Sequence, residues 1–88
     1  MNRKDILETA ELIVNGARQD DYGSAADSFA SIAASWTWWL QHPVTAHDVA
    51  QMMTLLKLSR CKTSPEKADS YIDACGYQAL AAEIKDAK

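Results

Sequence analysis

Cysteine is scarce: Cys61 and Cys75 are the only two in 88 residues. Two cysteines make no disulfide framework, and no CxxC pair stands ready for zinc. They are expected as buried or half-buried thiols of a reducing cytosol. Excess basic charge is also lacking, since 9 Lys and Arg face 12 Asp and Glu for a net charge of −3. That balance excludes an electrostatic footprint for duplex nucleic acid. No run approaches the ~20 apolar residues of a membrane span. The opening residues, MNRKDILETAEL, carry no continuous apolar stretch and read as no signal peptide. The expected location is therefore the cytoplasm, of a bacterial host if the chain is phage-encoded. Several catalytic signatures are missing too: GxSxG, a phosphate-binding glycine loop, a Cys-His nucleophile and the HExxH zinc spacing. His42 and His47 are read as surface residues.

What remains is helical pattern. Apolar residues make up 48% of the chain, enough for one small core, so residues 1–88 are read as a single domain. The expected fold class is all-α, a compact bundle of about four helices, oligomeric because the chain is short. The first helix is predicted from Asn2 to Asn15, with Ile6, Ala10, Ile13, Val14 and Ala17 on one face. A polar connector follows over 18–23. Ser24 caps a second helix reaching about Gln41, with Phe29, Ile32, Ala33, Trp36 and Leu40 as its stripe and Trp38 pointing away. His42-Pro43 ends it. Thr45, with Asp48 three residues on, starts a third helix over about 46–62. That helix is apolar on much of its circumference, with Val49, Met52, Met53 and Leu56 sharing a face and Leu55 and Leu58 off it, which predicts packing on two sides. Ser64 as cap and Pro65 as first helical residue predict a fourth helix to about Ala87, with Tyr71, Ile72, Cys75, Ala79 and Ala82 inward.

Two anomalies mark a candidate site. Arg60 projects from the same side of the third helix as Val49 and Met53, with Lys57 at the border. A fixed charge there needs a partner, unless it lies past the end of the core and reaches water. Asp69 and Asp73 are four apart on the fourth helix and repel unless a cation lies near. Gly76 shares their face, and mid-helix glycine costs ~1 kcal/mol against alanine, so something should approach it closely. Several readings stay open: a structural ion-pair network, an anion site formed by Lys57, Arg60 and Lys62 or Lys67, a divalent metal such as Mg2+ held by the two aspartates, or their direct hydrogen bonding to the sugar or base of a ligand. Tyr22 and Tyr77 offer surfaces for a base.

The chain resembles a family of short phage and prophage proteins, a domain of unknown function. The resemblance is carried by Arg18 with Tyr22-Gly23, Phe29, Ile32-Ala33, Trp36, Thr45 and Asp48-Val49. It continues through Met52-Met53, Leu55-Leu56-Lys57, Arg60, Lys62, Lys67, Asp69-Ser70, Asp73 and Gly76-Tyr77. It implies a phage setting and no particular activity. More distantly, the layout is similar to the all-α MazG-like nucleotide pyrophosphohydrolases, which hold Mg2+ with ExxE and ExxD. Glu8 and Glu11 form an ExxE here, and Glu66 and Asp69 an ExxD, but basic Lys57 and Arg60 stand where an enzyme wants acids.

The reading these features support is a non-catalytic binder of a nucleotide-like anion, possessing no resident cofactor or metal. Its ligand contacts would be Arg18, Tyr22, Lys57, Arg60, Lys67, Asp69, Asp73 and Tyr77. By analogy, a phage would use it to sequester a nucleotide signal of host defence. The alternatives are a Mg2+-dependent pyrophosphohydrolase and a protein-interaction module with no small ligand. Homo-oligomerisation is expected in each case, and neither a membrane nor duplex nucleic acid is an expected partner.

Overall fold

The computed structural model describes residues 1–16 and 24–86. Among them are four helices: α1 (Arg3–Asn15), α2 (Ala25–Leu40), α3 (Ala46–Thr63) and α4 (Ala68–Asp86). No strand occurs among the described residues. No described helix is long and apolar enough to cross a membrane. The connector over 18–23 and the inward position given to Ala17 lie outside the described residues.

Local chemistry sets the helix starts. The Asp5 N–H donates to the Asn2 side-chain oxygen at 2.9 Å, and the Asn2 N–H donates back to Asp5 at 3.4 Å. Ser24 Oγ accepts from the Asp27 N–H at 3.0 Å. Thr45 and Asp48 make the reciprocal pair, both at 3.0 Å. These bonds satisfy amide groups that a helix N-terminus otherwise leaves without partners. The Thr45 backbone N–H, followed by its side chain, holds the exposed Asp48 carboxyl below the usual carboxylate range. A carboxylate depressed in the folded state stabilises above its unfolded pKa, and that contribution is lost as pH falls through the folded value. Below about pH 4, Asp48→Asn should therefore lose less melting temperature than the native chain does. Equal losses on acidification would show that the cap carries no linked proton.

α2 ends one residue before the expected position. Gln41 adopts a left-handed conformation (φ 54°) and its side-chain amide donates to the Trp38 carbonyl. Thr37 Oγ1 then accepts from the Val44 N–H at 2.9 Å, pinning the loop that carries Pro43.

The start of α4 differs from the sequence reading. Ser64 is not its cap: its N–H donates to the Arg60 carbonyl at 2.8 Å, so it closes α3, and α4 starts four residues further on. Residues 65–66 form a turn, held by the Tyr71 hydroxyl donating to the Pro65 carbonyl at 3.1 Å. Helix geometry resumes only at Ala68.

α4 runs along α3 on one side and α1 on another, while α2 packs chiefly on α3. The buried centre is small: Phe29, Ala33, Val49, Ala50 and Ala81, flanked by half-buried Ile32, Trp36, Met53, Tyr77 and Leu80. Several residues read as inward prove exposed, namely Leu40, Met52, Leu56, Tyr71, Ala79 and Ala82, with Ile13 at the boundary. The inward side of α4 instead carries Ser70, Ile72, Gly76 and Ala81, all buried. α3 meets the bundle through one face and leaves its other apolar face open. His47 is half-buried rather than a surface residue, and its Nδ1–H donates to the Ala81 carbonyl at 3.0 Å. His42 is exposed, as read.

Candidate functional site

The α3–α4 seam is polar along much of its length. Near its middle, Gln78 of α4 donates to Gln51 and, at 2.8 Å, to Thr54 Oγ1. Thr54, itself buried, donates to the Ala50 carbonyl at 3.0 Å. Toward the end of α3, Lys57 Nζ meets Asp73 Oδ2 at 2.9 Å, the two side chains being 16% and 27% exposed. Each side chain spends part of its hydration on this contact, and the ion pair offsets that loss.

The structure brings together two of the eight candidate ligand residues in direct contact, Lys57 and Asp73. Arg60 is exposed, so it reaches water past the core instead of standing buried on the apolar face. Lys67 lies in the exposed turn before α4, and Asp69 is exposed in the first turn of α4. Tyr77 is half-buried, its ring tilted against Phe29 with centroids 6.1 Å apart, so it serves the core. Arg18 and Tyr22 lie outside the described residues.

Gly76 is explained by packing. A Cβ built on it would sit 2.9 Å from Val14 Cγ2, closer than side chains tolerate. The missing side chain lets α1 lie directly on α4. The room expected on the carboxylate face is thus occupied by α1.

Among the described residues, no three of His, Cys, Asp and Glu converge to hold a metal ion. Glu8 and Glu11 lie exposed on α1, and Lys4 reaches Glu8 at 3.9 Å. Glu66 belongs to the turn and not to a helix. Cys61 and Cys75 are free, half-buried thiols.

Trp38, expected to point away from its helix's stripe, belongs to a wider exposed apolar surface. Trp38 and Trp39 are 71% and 76% exposed, their rings 6.2 Å apart, and with Trp36, Ala34 and Ser35 they line a shallow hollow on α2. On α3, Met52, Leu55, Leu56 and Leu58 all face water. The available signal was the weak sidedness of α3, where apolar residues fall all round: Val49, Ala50 and Met53 inward, Leu55, Leu56 and Leu58 outward.

The chain is 34% identical to the Gene 55 protein of Mycobacterium phage D29 over 74 residues, covering 84% of this chain and 49% of that protein. It is 41% identical to the Gene 55 protein of Mycobacterium phage L5 over 73 residues, covering 82% of this chain and 47% of that protein. The chain thus spans about half the length of the curated relatives it matches. No solved structure matches it. The model of one family covers residues 5–85, nearly the whole bundle. The chain belongs to that family, the domain of unknown function DUF6378, and its relatives named here are phage proteins.

Proposed function

We propose that this chain is a helical assembly module, working through contacts with other copies of itself and not through small-molecule chemistry. The observation that carries this reading is the outward apolar surface of α2 and α3, where Trp38, Trp39, Leu40, Leu55 and Leu58 are all more than half exposed. Single exposed leucines are ordinary, but clustered large side chains on a small domain mark interaction surfaces. The small buried centre favours the same reading, since association supplies burial that one short chain lacks. Light scattering on the purified chain at tens of micromolar should give a dimer or larger species. A monomer at high micromolar concentration would sink the proposal.

A second reading keeps the nucleotide-like anion. It is favoured by the position of Lys57, only partly covered at the α3–α4 seam, with exposed Arg60 one turn further on. In that reading an anion would compete with Asp73 for Lys57, and Arg60 and Lys67 would add phosphate contacts. Turnover is not part of it, because two-metal phosphate chemistry needs converging carboxylates. The pyrophosphohydrolase alternative is the weakest, with Glu8 and Glu11 on the exposed face of α1.

A further inference from the structure

We infer that α3 pairs with α3 of a second copy, antiparallel, about a twofold axis passing beside Leu55. This pairing rests on the assembly reading and names the face that carries it. The bundle side of α3 is taken by buried Val49, Ala50 and Thr54 and half-buried Met53, Lys57 and Cys61. At ~100° per residue, exposed residues cover roughly 200° of the helix, and the arc of roughly 120° centred on Leu55 holds Asp48, Gln51, Met52, Leu58, Ser59 and Lys62. Every residue on that arc is exposed.

The arc has an order that a merely solvated face would not need. A twofold axis at Leu55 sets Leu55 against itself, with Met52 on one flank and Leu58 on the other. In an antiparallel pair each flank meets the same flank of the other copy, so Met52 lies beside Ser59, and Leu58 beside Gln51, whose side chain also accepts from Gln78 of its own chain. Asp48 and Lys62 lie close to the midline at the two ends, so apolar side chains meet at the centre and opposite charges come within reach at both ends. Asp48 and Lys62 are fourteen residues apart, ~21 Å along the axis, so each copy presents one complementary charge at each end. Between them the arc carries no charge at all. The outer face of α1 contrasts with it, carrying Lys4, Glu8 and Glu11.

Two further features fit. Antiparallel pairing lays the positive N-terminal end of one α3 beside the negative C-terminal end of the other. Asp48 spends one carboxylate oxygen on the Thr45 N–H and retains the other for a partner. A self-complementary patch of this kind closes as a dimer and does not propagate.

Sedimentation equilibrium on the full chain tests the pairing. The native chain should be a dimer, and Leu55→Lys, which puts two like charges on the axis, should weaken it at least tenfold. Lys62→Glu, facing Asp48 of the partner, should weaken it several-fold. Leu55 is 63% exposed, so its variant should keep the native helical circular dichroism. As a second measurement, Leu55→Cys in a Cys61→Ser, Cys75→Ser background should oxidise to a covalent dimer, while Leu12→Cys in that background should not. A native oligomer that Leu55→Lys leaves intact, with Trp39→Ser dissociating it instead, would overturn this pairing while leaving the assembly reading standing. A native monomer would overturn both.

Discussion

Gly76→Leu should cost about 3 kcal/mol and lower the melting temperature by ~10 °C or more, the upper range for overpacking a small domain. The reason is the Val14 methyl, which lies 2.9 Å from where the first added carbon would sit. A leucine adds three more carbons in the same direction and must push α1 off α4. That movement also uncovers Ala10, the one buried residue of α1. Gly76→Ala sets two effects of similar size against each other. Alanine gains ~1 kcal/mol of helix propensity, and the single contact with Val14 takes a similar amount back. The net change should be small. Val14→Ala alone should destabilise by losing packing, yet Val14→Ala with Gly76→Ala should be more stable than the sum of the two changes. Urea unfolding of the four proteins measures this directly. Simple additivity would show that Gly76 and Val14 do not press on each other.

Gly76 also shows how far the sequence carried. Mid-helix glycine signals a close approach, and one exists, but its partner lies sixty-two residues earlier and no local pattern names it. Helix starts were readable because Asn2, Ser24 and Thr45 each satisfy amides within three residues. Ser64 failed as a cap because it closes α3 and the next helix begins only at Ala68, beyond the two or three residues a capping side chain reaches. Met52 and Leu56 were read as inward because periodicity counts apolar residues without counting the surfaces available to cover them. The core beneath α3 accepts Val49, Ala50 and Met53, and no described element remains to take the other side. Within the candidate site, the need for a cation near Asp73 was readable from Asp69 four residues before it. Which cation answers it was not, since Lys57 and Arg60 stand within one turn and only the lysine lies inside the seam.

Lys57→Met should destabilise by about 2 kcal/mol, because it leaves the Asp73 carboxylate without its partner in a half-dry seam. The figure lies below that for a fully buried pair because Asp73 keeps 27% of its exposure and water screens the remaining charge. Asp73→Leu should cost a similar amount by stranding the ammonium. The double change should recover most of the loss, since two apolar side chains of matching length remove both charges from the seam together. Arg60→Ala should move stability by less than ~0.5 kcal/mol, as expected for an exposed side chain. This series also separates the two functional readings. If the pair only holds α3 to α4, adding a nucleoside triphosphate should leave the melting temperatures of the native chain and the four variants where they were. A nucleotide that stabilises the native chain but neither the Lys57→Met nor the Arg60→Ala protein would place the anion reading ahead of assembly. A single Lys57→Met as stable as the native chain would show that Asp73 never depended on the ammonium, and the seam would owe its cohesion to Gln78, Thr54 and the apolar residues alone.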